Sequence, residues 1–356
     1  MDTRLSEIQQ ELVAAANAAL EKHADIDTID ATLALPCGYD ERLYGLFAEL
    51  GWTFLGFETD EESTLVELGL VVERLGYFGV PTPLRAVMSA ANLVARASGG
   101  DAPLLAQISE EGTIAVVVDA TRGSARPRLV EWAGVASVLL VATRDGDEVV
   151  VRAVDAASVS IEAVEVFDAE RTDEVLLGDA AGDEIGRLSD EAWQEWRAVD
   201  RLLRAADILG ASRRSLDLTV QNAKTRNQFG RPIGAFQAVQ HRAADMRMDI
   251  EATSLLVWSG LWRAAHGHDV IRTSLMAAWQ ASETGERASK NAVQLHGGVG
   301  FIKEYPLHHF YRRTKAQKLR FGASRDLLRE LGGAVLTAAR TGDFRERFVD
   351  WPESSE

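Results

Sequence analysis

Apolar positions in the first hundred residues fall at helical spacing. Leu5, Ile8, Leu12, Val13 and Ala16 share one face, with Ser6 and Glu7 at its start, where a hydroxyl and an acid suit a helix N-terminus. A second stripe, Leu43, Leu46, Phe47 and Leu50, stops at Gly51; a third, Leu65, Leu68, Leu70, Val71 and Leu75, ends near Gly76. Pro81 and Pro83 interrupt the period before a helix predicted over about 84–98, and Gly99-Gly100-Asp101 punctuates it. Between about 113 and 178 the pattern becomes short and β-branched. Val138 to Val141 and Val149 to Val154 flank Asp145-Gly146-Asp147, a hairpin signal, and strand-like pieces follow near Ile161 and Val175. The helical period then returns over about 193–228, 236–266, 270–295 and 307–339. This order predicts an α+β chain: an N-terminal helical domain over roughly 1–105, a small middle antiparallel β domain over 106–187 and a C-terminal four-helix bundle over 188–345.

Charge narrows the function. The 54 acidic residues against 38 basic ones leave a formal charge of −16, which repels phosphate backbones and argues against nucleic acid. Cys37 is the single cysteine, so neither an intrachain disulfide nor a cysteine metal site can form. No run reaches the roughly 18 apolar residues of a membrane span, and Met1-Asp2-Thr3-Arg4 begins no apolar signal core. The expectation is a soluble, cytoplasmic protein. Among seven histidines, the pairs 266/268 and 308/309 lack the spacing that sets two imidazoles on one helix face, which argues against a metal site. Trp258, Trp262 and Trp279 read as core. Neither a Gly-x-Ser-x-Gly elbow nor a Gly-x-x-x-x-Gly-Lys loop is present, which leaves hydrolases and nucleotidases without an anchor.

Two glycine-containing segments carry candidate chemistry. The first, Arg226-Asn227-Gln228-Phe229-Gly230-Arg231-Pro232-Ile233-Gly234-Ala235-Phe236-Gln237, joins two predicted helices and holds more guanidinium and amide groups than a connector needs. The second, Gln294-Leu295-His296-Gly297-Gly298-Val299-Gly300-Phe301, lets the backbone approach a ligand closely and aim N–H groups at it.

In this order the two segments resemble the acyl-CoA dehydrogenase family, together with Tyr305-Pro306 and the run from Arg312 to Gly322. The resemblance implies a helical, β and four-helix architecture and an FAD shared between two subunits. It implies that Arg226, Gln228, Phe229 and Gln237, with the segment Gln294, Leu295, His296, Gly297 and Gly298, hold the ADP half of FAD. It also implies an acyl-CoA substrate and an electron-transfer flavoprotein as electron acceptor.

The departures from the family are equally informative. The family's β domain carries Thr-Glu-Pro and then Gly-Ser; here Val118-Asp119-Ala120-Thr121-Arg122-Gly123-Ser124 keeps only the last two, and Phe57-Glu58-Thr59-Asp60-Glu61 replaces a Pro-Glu-x-x-Gly-Gly loop. The usual catalytic glutamate precedes the glycine after the Arg-x-x-Lys helix, and that position is Phe321. Some members place the base near the start of the first long bundle helix, where Asp200 stands. The pattern resembles the less catalytic partner of a heteromeric (α2β2) acyl-CoA dehydrogenase acting with a homologous catalytic subunit, several such enzymes taking steroid side-chain CoA thioesters. A self-sufficient homo-oligomer using Asp200, and a structural subunit free of FAD, are the alternatives.

Overall fold

The computed structural model describes residues 4–341 apart from 60–61, 101, 124–128, 168–169 and 179. Of the positions singled out above, Asp60, Glu61, Asp101, Ser124 and the tail 342–345 lie outside the described residues.

The N-terminal part is helical: α1 (Glu7–Leu20), α2 (Ile26–Leu33), α3 (Glu41–Glu49), then a two-strand ribbon β1 (Glu58–Thr59) and β2 (Glu62–Ser63), then α4 (Leu65–Phe78), α5 (Leu84–Ser98) and α6 (Pro103–Glu110). Ser6 caps α1 through a reciprocal box with Gln9. α4 does not stop at Gly76 but runs to Phe78 and ends on Gly79 in the left-handed region. Gly76 serves another purpose. A Cβ there would run into the Asp207 carbonyl, and one at Gly210 into the Glu73 carbonyl. The two glycines let α4 cross the long helix that carries Asp207 and Gly210 at backbone contact.

The middle part holds two sheets. One has the order β3 (Ala115–Asp119), β5 (Val138–Asp145), β6 (Glu148–Asp155), β9 (Asp183–Ser189); the other has the order β4 (Val130–Glu131), β8 (Thr172–Leu176), β7 (Ser160–Ala163). The Asp145–Glu148 hairpin is antiparallel as expected. The wholly antiparallel expectation is corrected by β3, which runs parallel to β5. Between them the chain leaves for the second sheet to lay down β4, so it re-enters the first in its original direction.

α7 (Asp190–Thr225) forms the centre of the bundle, packed on α8 (Gln237–Ala265), α9 (Ile271–His296), α10 (Leu307–Arg320) and, from the N-terminal part, α4. It ends before Gln228 because β10 (Asn227–Gln228) pairs with β11 (Arg231–Pro232) in a tight hairpin. The predicted last helix is two, since Gly322 at φ 85 turns the chain into α11 (Ser324–Thr341). One continuous core runs from Ala16 in α1 through Leu140 and Val151 in the sheet to Ala281 in α9. Trp258 and Trp279 pack against buried clusters, whereas Trp262 stacks with His266 and His268, ring centroids 4.3 and 5.4 Å away. Among the described residues no helix is long and apolar enough to cross a membrane.

The crossing of α4 and α7 yields a paired prediction. Gly210→Ala should lower unfolding free energy by about 1–3 kcal/mol through overpacking. Gly45→Ala, in α3 with open space around it, should raise it by about 0.5–1 kcal/mol. Urea titration of both variants checks the contrast.

Candidate cofactor segment and charged cavity

Arg226 caps the C-terminus of α7, its N–H donating to the Asn222 carbonyl and its own carbonyl accepting from Ile233 at 2.9 Å. Its guanidinium crosses to the end of α9, where Nη1 donates to the His296 carbonyl. A Cβ on Gly297 would sit 3.5 Å from that same nitrogen. Gly297 adopts φ 63, ψ −137, a conformation that excludes ordinary side chains, and Gly298 faces open space. Asn222 Nδ2 supports the segment by donating to the Leu295 carbonyl at 3.3 Å. The fold thus brings the arginine of the first motif against the glycines of the second. Among the described residues no carboxylate pairs with Arg226, so its charge faces a stretch of exposed backbone uncompensated. A permanent cation beside open glycine amides is suited to a pyrophosphate.

The other members of the set take different places. Phe229 stands at the hairpin tip at φ 54, 92 % exposed, edge-on to Phe236 at 6.1 Å. Gln228 lies on the same hairpin, Gln237 opens α8, and Gln294 lies in the last turn of α9; all three side chains are exposed. His296 turns inward: its ring is fully buried, with Nδ1 2.7 Å from the Ala292 carbonyl and Nε2 3.0 Å from the Tyr305 hydroxyl. Only its carbonyl faces the segment, so its side chain anchors the loop and offers nothing to a ligand.

A second feature lies where α5, β3, β4, α7, α10 and α11 converge, around a cavity of about 600 Å³. Its inner wall is a set of paired charges. Glu131 is the node, with Arg85 Nη2 at 2.6 Å, Arg204 Nη1 at 2.7 Å and Arg320 Nε at 3.1 Å. Asp200 accepts from Arg204 Nε at 2.8 Å and from Ser89 Oγ at 2.9 Å, with Arg85 Nη1 at 3.6 Å. Phe321 lines the same cavity. Burial alone would raise the Glu131 carboxyl; Arg204, Arg320 and Arg85 outweigh it and hold the group well below its usual 4.5. For Asp200 burial again pushes upward, and Arg204 and Arg85 bring it below the ordinary aspartate value.

Comparison with known proteins names the architecture. The family model described as acyl-CoA dehydrogenase, C-terminal domain, matches residues 194–336. "Acyl-CoA dehydrogenase IpdE2" of Mycolicibacterium smegmatis is 30 % identical over 92 % of this chain and 98 % of its own. The solved structure "Tcur3481-Tcur3483 steroid ACAD G363A variant" matches with a TM-score of 0.85 at 26 % identity, over 94 % of this chain and 99 % of that one. The ChsE4-ChsE5 complex from Mycobacterium tuberculosis shares the fold with a TM-score of 0.86 at 23 % identity, over 94 % and 99 %.

The chain belongs to the acyl-CoA dehydrogenase family.

Acyl-CoA dehydrogenases are FAD-dependent oxidoreductases acting on acyl-CoA thioesters. The position expected for the family's base, Phe321, does face the cavity, but a benzyl group accepts no proton. Asp200 also faces it, yet its oxygens are engaged by a serine and two arginines. Glu131, Arg85, Arg204 and Arg320 were not legible as site residues. They come from four separate elements, and scattered arginines carry no spacing signal.

Glu131→Gln tests the charged wall. Removing one member of a buried ionic cluster leaves its partners uncompensated and should cost about 3–5 kcal/mol. Because the folded carboxyl is held below the unfolded value of 4.5, its contribution is complete above that pH and lost as pH falls toward the folded value. Unfolding titrations of the variant between neutral and acid pH should therefore show a shallower acid limb than the parent.

Proposed function

We infer that this chain is the subunit of a heteromeric acyl-CoA dehydrogenase that lends the ADP side of a shared FAD site to a homologous subunit bearing the flavin pocket and the glutamate base. The observation that carries this is the cavity. At the place where a base would work stands Phe321, and the interior is cross-linked by Glu131, Asp200 and three arginines. The likeness to the Tcur3481-Tcur3483 steroid acyl-CoA dehydrogenase and to the ChsE4-ChsE5 complex supports both the heteromer and a steroid side-chain CoA thioester as substrate. The reaction is α,β-desaturation, with an electron-transfer flavoprotein as acceptor.

The cofactor segment fits its group: Arg226 is uncompensated, Gly297 holds a glycine-only conformation and Gly298 is open. Arg226 would neutralise the pyrophosphate, the amides of Gly297 and Gly298 would donate to it, and Gln228, Gln237 and Gln294 would supply amides at its edges. When bound, FAD supplies the acceptor for the hydride that leaves the β-carbon. The two positions the family reading offers for a base are Phe321, which accepts no proton, and Asp200, whose oxygens are engaged by Ser89, Arg85 and Arg204. Asp200, depressed below its usual value by two guanidiniums, is a weaker base than a free carboxylate, which speaks against the homo-oligomeric alternative. The unpaired charge of Arg226 speaks against a subunit free of FAD.

Two measurements decide. Produced with its partner, the protein should carry flavin, and Arg226→Ala should weaken flavin binding by about tenfold or more, a charge-assisted hydrogen bond contributing roughly 1.5–3 kcal/mol. A yellow, active homo-oligomer from this chain alone would overturn the heteromer. In stopped-flow reduction by acyl-CoA, Asp200→Asn should retain the fast phase; its loss with flavin intact would make Asp200 the base.

A further inference from the structure

The first turn of α10 meets α2 at a cluster that the cofactor segment and the charged cavity do not use. Asp30, His308 and His309 each place a donor atom within 4.8 Å of the others. His309 is 4 % exposed, and neither ring nitrogen has a hydrogen-bond partner. Asp30 Oδ1 approaches Nε2 to 3.2 Å without the geometry of a hydrogen bond. A buried imidazole has thus exchanged water for one poorly aligned contact with a carboxylate.

The remaining details point to a ligand. His308 lies over His309 with ring centroids 4.0 Å apart. Its Nδ1 is 2.9 Å from the Tyr305 carbonyl. A carbonyl only accepts, so the proton sits on Nδ1 and Nε2 keeps its lone pair. A backbone carbonyl orienting the far nitrogen is the usual support of a metal-bound imidazole. Two ligands held about 2.0–2.1 Å from a tetrahedral ion lie roughly 3.3 Å apart, close to the 3.2 Å separating Asp30 and His309. The Asp30 side chain is 56 % exposed, which leaves an entry path from solvent. Arg312, one turn on, directs Nε to the Phe167 carbonyl.

We propose that Asp30, His308 and His309 bind a divalent cation of the zinc class, with water in the open position, as a tie between α2 and α10. Two imidazoles and a carboxylate suit zinc and disfavour magnesium, which prefers an all-oxygen shell. The spacing argument that set metal aside considered histidines within one helix; here the third donor comes from the opposite end of the chain.

Calorimetric titration of the purified protein with zinc chloride tests the site, with magnesium chloride as control. One zinc per chain is expected, together with a zinc-dependent rise in melting temperature and no response to magnesium. Asp30→Asn should weaken zinc binding at least about tenfold and abolish that rise, while leaving the zinc-free melting temperature near the parent's because the residue is exposed. His309→Gln should lose binding likewise, and the double change His266→Ala with His268→Ala should leave it intact. Zinc uptake unchanged in Asp30→Asn, lost only in the 266/268 variant, or absent from the parent would overturn the proposal.

Discussion

Glu131 ties three parts of the molecule to one carboxylate. It sits on β4, and its ion pairs reach α5 of the helical part and α7 and α10 of the bundle. Taking a carboxylate out of water costs several kcal/mol, and a single partner rarely offsets that. Three guanidiniums do, and they in turn are braced: Arg204 by Asp200 and Gln317, Arg320 by Thr172. The relative placement of sheet and helices is therefore specified by directional contacts, where a purely apolar interface would tolerate sliding. The shared core supplies the bulk of the attraction; the ionic node selects the geometry.

The helices were legible because each buries a stripe, and stripes have a period. α1, α3 and α5 lie where their apolar positions predicted, and the Asp145–Glu148 hairpin follows its turn residues. What failed to show locally depends on partners distant in the chain. Gly76 looks like a helix stop until α7 is laid against it. The direction of β3 is set by the detour through β4, and β9, half-exposed and weakly apolar, gave no strand signal.

Of the candidate site, the two glycine motifs were legible because they stand in a fixed order about sixty residues apart and hold more guanidinium, amide and glycine groups than helix connectors need. Their meeting, through Arg226 and the His296 carbonyl, is a tertiary event. His296 illustrates the limit. Its place in the motif suggested a ligand contact, yet the ring packs inward against Tyr305, as the polar side chain of a helix end does when burial offers it two partners. The cavity was half legible: Phe321 and Asp200 came from the resemblance, whereas their charged surroundings are an arrangement that only folding assembles.

That arrangement resists stepwise change. A carboxylate or guanidinium removed singly from the network strands its neighbours, so the substitutions that would dismantle the wall are each harmful until the others are in place. Placing glutamate at 321 would add a carboxylate to a cavity whose wall is already bound in salt bridges. The network thus behaves as a ratchet: once the charges interlock, each is held in place by the others.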